Sequence, residues 1–154
     1  MTPAKKSRSA ITLLVEDNED DADLTAMAFG DAKIANPLVR VRDGEEALDY
    51  LFARRSYAHR DPADLPMVVL LDLKLPKLSG IEVLRKIRSE RGTSRLPVVV
   101  LTSSIEDGDR VSCYDLHCNS YVRKPVDYDE FVVASRQLGV YWTAVNTPPP
   151  EVPV

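Results

Sequence analysis

Five short apolar runs alternate with five longer stretches of helical periodicity, and this alternation constrains the fold more than any other feature of the 154 residues. Apolar runs separated by amphipathic helices are typical of parallel sheets built from βα units. Val68–Leu71 and Val98–Leu101 are apolar at every position, as expected for central strands covered on both faces. The sequence therefore predicts an α/β domain with an open parallel sheet. The predicted strands are Ala10–Glu16, Leu38–Arg42, Met67–Asp72, Val98–Thr102 and Ser120–Arg123.

The stretches between these runs carry signals for the starts and ends of helices. Acidic residues open the first two helices, where they suit the positive end of the helix dipole. The fourth helix is the least apolar, and three prolines from Pro148 onward end the last one. The segment Ala53–Pro66 is longer than a usual connection and predicts a packed excursion. The predicted helices follow Asp17–Asp23, begin at Asp43–Glu46, begin at Ser79, cover Asp107–Leu116 and cover Asp127–Ala144.

Composition and charge are those of one ordinary globular domain. The chain is 44% hydrophobic and 29% charged, and its length suffices for a single buried core. We expect a disordered tail over residues 1–9, one domain over 10–145, a Pro-rich tail over 146–154 and no output domain. The net charge of −4 and the lack of a basic face disfavour nucleic-acid binding. The basic cluster Lys5–Arg8 is interpreted as a solvated leader.

The sequence predicts a cytosolic protein with no membrane segment. No apolar stretch approaches the length of a membrane span or has the character of a signal peptide. Cys113 and Cys118 are too few for a disulfide framework and are interpreted as buried thiols. With only His59 and His117 available, a zinc site has no plausible ligand set.

Four polar groups stand where apolar runs stop, and they predict a site. Glu16-Asp17, Asp72, Thr102 and Lys124 each end or follow one of the predicted strands. In an open parallel sheet these ends lie at one edge, where ligands bind. Three carboxylates, a hydroxyl and an ammonium group would therefore share one pocket. Glu16-Asp17 taken alone could equally open the following helix.

The chemistry of these groups suits a metal ion and a phosphoryl group. Carboxylate oxygens with room for waters favour Mg²⁺ over Ca²⁺. Asp72 could act as a nucleophile toward phosphorus, while Lys124 and Thr102 neutralise the phosphoryl oxygens. Pro125 invites a cis peptide bond that would turn Lys124 into the site, although an ordinary strand exit is an alternative.

The residues that form this pocket resemble the receiver domain of two-component response regulators. The resemblance covers about Ile11 to Trp142. The motifs that carry it are Glu16-Asp17, Asp72 with Pro76 and Gly80, Thr102-Ser103 and Tyr121–Pro125. Four further segments resemble the stand-alone receivers that accept phosphate from bacterial phytochrome histidine kinases. These segments are Asp43–Leu48, Ser56–Ala58, Val126–Phe131 and Tyr141-Trp142.

This resemblance implies a flavodoxin-like (βα)5 fold, doubly wound, with strand order 2-1-3-4-5. It makes Asp72 the phosphoacceptor and Thr102 and Lys124 the phosphoryl-binding residues. It makes Tyr121 a switch that turns inward with Thr102, although Tyr121 could instead be an edge-strand aromatic that packs on the last helix. The implied Mg²⁺ site has Asp17, Asp72 and the backbone carbonyl of Lys74 as direct ligands, with Glu16 acting mostly through water.

The last helix predicts a partner as well as a core. Six residues at helical spacing would cover the sheet: Phe131, Ala134, Leu138, Tyr141, Trp142 and Val145. Val132, Val133 and Val140 widen this apolar surface, which together with Tyr141 predicts a homodimer through the last helix and the fifth strand. A broader core is the alternative interpretation.

Other functions fit the sequence less well. A haloacid-dehalogenase-like phosphatase needs a second aspartate where Lys74 stands, and a flavodoxin-like cofactor carrier would meet repulsion from Glu16–Asp20. We therefore predict a response regulator that turns over no separate substrate, with an unidentified downstream protein. Lys74 is expected to alter the rate of autodephosphorylation. A receiver-like adaptor or dimerisation module that is not phosphorylated remains the alternative.

Overall fold

Five parallel strands form one sheet in the order β2-β1-β3-β4-β5, which confirms the predicted flavodoxin-like topology. The computed structural model describes residues 10–150, so the predicted tail over 1–9 and the last four residues lie outside the described part of the chain. The last two strands match their predicted bounds, and the first three are shorter. The strands are β1 (Thr12–Val15), β2 (Leu38–Val41), β3 (Val68–Leu71), β4 (Val98–Thr102) and β5 (Ser120–Arg123).

Five α-helices connect the strands and complete a doubly wound domain. Four of them begin at a side chain that accepts a hydrogen bond from the first turn: Asn18, Asp43, Ser79 and Asp127. The helices are α1 (Glu19–Asp31), α2 (Gly44–Leu51), α3 (Gly80–Ser89), α4 (Asp107–Asp115) and α5 (Tyr128–Val140). None of the helices in the described residues is long and apolar enough to cross a membrane.

The strand register brings the polar residues after β1 and β3 side by side. Val15 pairs with Val41 on one side and with Leu71 on the other. The ladder continues one step further, because Asp72 N donates to the Val15 carbonyl at 3.1 Å. On the far side of the sheet, Lys124 N donates to the Thr102 carbonyl at 2.7 Å. The ends of β1, β3, β4 and β5 are therefore aligned along one edge.

The core lies in two layers, one on each face of the sheet. Alternate strand residues such as Leu13, Val69 and Val100 pack under α2, α3 and α4. The residues between them, such as Leu70 and Val99, pack under α1 and the end of the chain. This alternation follows from the period of two along a strand, and it explains why the central strands are apolar throughout.

The last helix differs from its prediction in how it ends and which face it buries. After Val140 the chain makes a π-helical turn over Tyr141–Val145, in which Asn146 N donates to the Tyr141 carbonyl at 2.7 Å. Trp142 is buried, at the helical spacing of buried Phe131 and Ser135, whereas Tyr141 and Val145 are exposed rather than covering the sheet.

Val132 is a further correction. It was predicted to widen the apolar surface, but it is buried next to Phe131 on the inner side of α5. Val133 and Val140 are exposed as predicted.

The predicted excursion after α2 is packed. Its 3₁₀ turn, Arg55–Tyr57, places the Tyr57 ring edge-on to Tyr50 with ring centroids 5.1 Å apart. The Tyr57 hydroxyl donates to Glu46 Oε2 at 2.8 Å, and the Arg60 guanidinium lies 3.8 Å from the centroid of the Tyr50 ring. These contacts tie the excursion back to α2.

Candidate functional site

Three carboxylates meet where β1 and β3 end. Glu16, Asp17 and Asp72 each offer an oxygen, and these oxygens lie within 4.8 Å of one another. Glu16 and Asp72 are buried at 2% and 6% exposure, whereas Asp17 is exposed. The cluster therefore has a buried floor and a side open to solvent, as a site for a small cation requires.

The two oxygens of Asp72 have different partners. Oδ1 accepts from the backbone amides of Leu73 at 2.7 Å and Lys74 at 3.3 Å. Oδ2 accepts from the Lys124 ammonium group at 2.8 Å. The backbone after β3 thus fixes the orientation of the carboxylate, and its second oxygen faces the other charged groups of the pocket.

Gly80 at the start of α3 lets the backbone pass close to Asp72. A Cβ at this position would lie 2.2 Å from the Asp72 carbonyl oxygen, a distance that no side chain tolerates. Gly80 N donates to the Leu73 carbonyl at 2.8 Å, which closes the loop between β3 and α3. Lys74 lies in this loop with an exposed side chain. Its carbonyl as a metal ligand stays a prediction.

Lys124 supplies the positive charge of the pocket. Its Nζ donates to Glu16 Oε1 at 2.6 Å, to Asp72 Oδ2 at 2.8 Å and to Asp21 Oδ2 at 2.9 Å, and its side chain is 7% exposed. Asp21 is the member of this group that sequence reasoning missed. It lies in the acidic run that follows β1, and its place in that run was the available signal.

Burial and the neighbouring charges have opposite effects on the pKa values of Glu16 and Lys124. Burial raises the pKa of Glu16 to about 7, against the lowering effect of its hydrogen bond with Lys124. Burial alone would lower the pKa of Lys124, but hydrogen bonds and Coulombic attraction from Asp72 and Glu16 raise it above the usual value. Lys124 therefore stays charged and is the counter-ion of the carboxylates.

The predicted cis peptide at Pro125 is wrong. Residues 10–150 contain no cis peptide bond, so the bond between Lys124 and Pro125 is trans. The end of β5 itself orients the lysine, because the Lys124 amide is held by the Thr102 carbonyl.

Thr102 ends β4 next to Lys124, and Tyr121 lies on β5. Thr102 is fully buried, and its Oγ1 accepts from the Ser104 amide at 3.2 Å. The Tyr121 hydroxyl is buried without a hydrogen-bond partner among the described residues, and its ring centroid lies 6.3 Å from that of Tyr114. Burial raises the pKa of the Tyr121 phenol, and the nearby Ser104 hydroxyl opposes that shift.

An arginine on β2 also shapes the pocket, and sequence reasoning missed it. Arg40 Nε donates to the Glu16 carbonyl at 3.0 Å, and its Nη1 lies 2.9 Å from Glu19 Oε2. Arg42 reaches the other Glu19 oxygen at 3.1 Å. These contacts tie the start of α1 to the edge strand and hold the turn that carries Asp17.

A doubly wound sheet of order 2-1-3-4-5, with a buried aspartate and a lysine paired to it at the carboxyl edge, defines a receiver-type phosphoacceptor class. The profile described as Response regulator receiver domain matches residues 12–136. The chain belongs to this family, whose members are signalling modules rather than metabolic enzymes and hold Mg²⁺ or Mn²⁺ in an acidic pocket.

A curated relative supports this assignment along most of its length. The chain is 39% identical over 139 residues to the probable methanogenesis regulatory protein FilR2 of Methanothrix harundinacea, covering 90% of this chain and 87% of the relative.

Solved structures are similar in both fold and sequence. The Mn²⁺-bound form of response regulator Rcp1, a Synechocystis protein, aligns with a TM-score of 0.85 at 33% identity and covers 91% of this chain and 99% of its own. The phosphorylated cyanobacterial phytochrome response regulator RcpA aligns with a TM-score of 0.85 at 36% identity, over 94% and 100%. The bacteriophytochrome response regulator AtBRR aligns with a TM-score of 0.71 at 46% identity, over 92% and 100%.

Proposed function

We propose that this protein accepts a phosphoryl group on Asp72 from a histidine kinase and signals by a change of conformation. One observation carries the proposal. The buried Asp72 carboxylate has one oxygen fixed by backbone amides and the other turned toward Lys124, with Glu16 and Asp17 alongside. Backbone orientation and a buried ammonium group are what an aspartate needs to attack phosphorus and keep the product.

The transfer step follows from these groups. A carboxylate oxygen of Asp72 forms a bond to phosphorus while the bond from phosphorus to the donor nitrogen of phosphohistidine breaks, and its electron pair returns to the imidazole. The product is an acyl phosphate and a neutral or reprotonated histidine on the kinase. Lys124 can turn from the carboxylates to a phosphoryl oxygen, and the Thr102 hydroxyl, which accepts from Ser104, retains a proton to donate.

The carboxylates fit a hard divalent ion. Three oxygens within 4.8 Å of one another, one of them exposed, leave room for waters, which suits Mg²⁺. Glu16, Asp17 and Asp72 would hold the ion, with the Lys74 carbonyl as a further ligand. When bound, the ion supplies positive charge that balances the carboxylates and the phosphoryl oxygens.

The kinase partner is proposed to be a phytochrome. Support comes from the named functions of two similar proteins, RcpA and AtBRR, which are described as response regulators of cyanobacterial and bacterial phytochromes. The site of action is proposed to be the cytoplasm, in keeping with free, buried Cys113 and Cys118. Phosphotransfer from a purified phytochrome kinase, faster than from an unrelated histidine kinase, would bear this out.

A homodimer through the end of the chain is also proposed. Val133, Val140 and Tyr141 are exposed on α5 and its π-turn, and β5 is the edge strand beside them. Exposed apolar groups next to an open strand edge favour association. A mass measured by light scattering that stays at the monomer value at every concentration would refute the dimer. A shift toward monomer in Tyr141→Asp but not in Tyr114→Asp would support it.

The acyl phosphate is proposed to be hydrolysed slowly by the protein itself. Lys74 follows Asp72 by two residues and is exposed, and its ammonium group is proposed to contact the phosphoryl group or the attacking water. Equal phosphate lifetimes in the wild type and in Lys74→Ala would overturn this role for Lys74.

The first experiment is phosphorylation by a small donor. The protein is incubated with acetyl phosphate, with and without Mg²⁺, and its intact mass is measured beside Asp72→Asn. Asp20→Asn is a matched control, because Asp20 is an exposed acid of α1 outside the carboxylate cluster. We expect a Mg²⁺-dependent adduct of one phosphoryl group in the wild type and the control, and none in Asp72→Asn. No adduct in the wild type would overturn the proposal in favour of an adaptor that is not phosphorylated.

A further inference from the structure

Asp21 is the one carboxylate in contact with Lys124 that the proposed chemistry does not use. Its Oδ2 accepts from the Lys124 ammonium group at 2.9 Å, and within residues 10–150 its side chain has no other hydrogen-bond or ion-pair partner. Its backbone has separate partners, because its amide donates to Asn18 Oδ1 at 2.9 Å and its carbonyl accepts from the Thr25 hydroxyl at 2.9 Å. The Asp21 carboxylate is therefore not needed to begin α1.

The ammonium group of Lys124 has no donor to spare. An ammonium group carries three N–H donors, and three carboxylates accept from this one. They are Glu16 at 2.6 Å, Asp72 at 2.8 Å and Asp21 at 2.9 Å. The lysine side chain is 7% exposed, so water has little access to it. A phosphoryl oxygen that binds Lys124 must therefore take a donor from one of these carboxylates.

The three carboxylates that hold Lys124 differ in their relation to the metal cluster. Glu16 and Asp72 belong to the cluster whose oxygens lie within 4.8 Å of one another, and Asp21 does not. The Asp21 side chain is also 28% exposed, against 2% for Glu16. A cation that binds the cluster competes with Lys124 for Glu16 and Asp72 but leaves Asp21 to the lysine. Asp21 is therefore the partner that can keep the ammonium group in place when an ion binds.

We propose that Asp21 is a positioning residue for Lys124 and that it has opposite effects on the two occupants of the site. By holding the ammonium group from the α1 side, Asp21 leaves oxygens of Glu16 and Asp72 to a divalent cation, and its own charge attracts the ion. By engaging one of the three donors, it competes with a phosphoryl oxygen for Lys124. This inference rests on the proposed phosphorylation of Asp72 and names a residue that regulates it.

The first measurement is the affinity of the unphosphorylated protein for Mg²⁺, by isothermal titration calorimetry. Asp21→Asn keeps the size of the side chain and removes its charge. Without that charge Lys124 stays with Glu16 and Asp72, so the ion meets a stronger competitor and a less negative pocket. We expect the Kd for Mg²⁺ to rise by about threefold or more in Asp21→Asn. An unchanged Kd would overturn the role of Asp21.

The second measurement is the rate of phosphorylation by acetyl phosphate, followed by intact mass at a Mg²⁺ concentration that saturates each variant. Asp21→Asn releases a donor of Lys124 for the phosphoryl group and removes a charge that repels an anionic phosphodonor. We expect this variant to react about threefold faster or more than the wild type. A substitution that only disturbed packing would weaken Mg²⁺ binding and slow the reaction together. A slower or unchanged rate in Asp21→Asn would therefore overturn the proposal.

Two further variants separate the contact with Lys124 from a general effect of charge. Asp20→Asn removes the same charge from the neighbouring exposed residue of the same turn and should match the wild type in both measurements. In a Lys124→Met background, Asp21 has no ammonium group to hold, so Asp21→Asn should change the Kd for Mg²⁺ by less than about twofold. An effect in Asp20→Asn as large as in Asp21→Asn, or an equal effect of Asp21→Asn in both backgrounds, would overturn the positioning role.

A conservative variant and the wild type complete the test. Asp21→Glu keeps the carboxylate and should restore both properties toward the wild-type values, and a variant no different from Asp21→Asn would count against the proposal. No adduct in the wild type would overturn the proposed function, while the Mg²⁺ affinities would still decide the role of Asp21. A wild type that binds no Mg²⁺ would overturn both.

Discussion

Helices α3 and α4 lie side by side on one face of the sheet, and both follow strands that end at the site, yet they are built in opposite ways. Helix α3 begins at the Ser79 cap and buries Gly80, Val83, Leu84 and Ile87. Helix α4 lacks a cap of its own and buries only Cys113.

This difference matches what each helix does for the site. The loop before α3 fixes the carboxylate of Asp72 through the Leu73 and Lys74 amides, and the close approach of Gly80 keeps that loop in one position. The segment before α4 contains Thr102 and Ser104. These residues must move if phosphorylation of Asp72 is to change the conformation of other parts of the protein. A site that both reacts and signals needs one rigid segment, here the loop between β3 and α3, and one segment that can change conformation, here the segment before α4.

The largest difference is expected for side chains in the middle of the two helices. Ile87→Ala empties a fully buried position of α3 and should lower the free energy of unfolding by roughly 2–5 kcal/mol. Val111→Ala affects a residue of α4 that is 57% exposed and should change the free energy of unfolding by less than about 0.5 kcal/mol. Urea unfolding of both variants checks this, and equal losses would show that α4 is as firmly packed as α3.

Glycines near the starts of the helices give the next largest contrast. Gly80→Ala drives a methyl group into the Asp72 carbonyl and should cost roughly 1–3 kcal/mol, with slower phosphorylation because Asp72 is displaced. Gly108→Ala in the first turn of α4 meets nothing within 4 Å and should stabilise the protein by about 0.5–1 kcal/mol. Thermal unfolding measures both changes in stability. A Gly80→Ala variant as stable as the wild type would contradict a rigid loop between β3 and α3.

Caps give a smaller contrast. Ser79→Ala removes the acceptor of the Glu82 amide and should cost about 1 kcal/mol. Glu106→Ala removes an N-cap side chain that makes no cap bond and should change stability by less than about 0.5 kcal/mol. A larger loss for Glu106→Ala in chemical unfolding would mean that α4 has a cap that the structure does not show.

The smallest effect at neutral pH concerns the one buried residue of α4. Burial raises the pKa of the Cys113 thiol from 9.0 to about 12. Its neutral form therefore supports folding fully below pH 9, and that contribution falls as the pH rises toward 12. The free energy of unfolding should decline less steeply above pH 9 in Cys113→Ala than in the wild type. Parallel curves would show that the thiol is open to solvent.

Local patterns were enough to predict the number and type of the elements and the α/β class of the fold. The alternation of apolar runs and helical stretches predicted five strands and five helices, and the bounds of β4 and β5 agree with the structure. Three strands were predicted too long, because the type of a residue next to a strand does not show whether its backbone forms the hydrogen bonds of the sheet. The order of the strands came from a family resemblance, since periodicity does not specify which strands are neighbours.

The site was predicted in part for a related reason. Glu16, Asp17, Asp72, Thr102 and Lys124 could be found because each stands at the end of a strand, and parallel strands bring their ends together. Asp21 was missed because its contact with Lys124 joins residues 103 positions apart, and only the tertiary fold brings the first turn of α1 within 2.9 Å of the Lys124 ammonium group.

The sequence by itself determined which residues could do chemistry and at which edge of the sheet they would meet, because strand and helix periods are local properties of the chain. The tertiary structure decided which partner each charged group has, that Val132 faces inward, that the Lys124–Pro125 bond is trans, and that α4 is tethered through Ser104. These outcomes depend on distances between elements that are remote in sequence, and packing alone sets those distances.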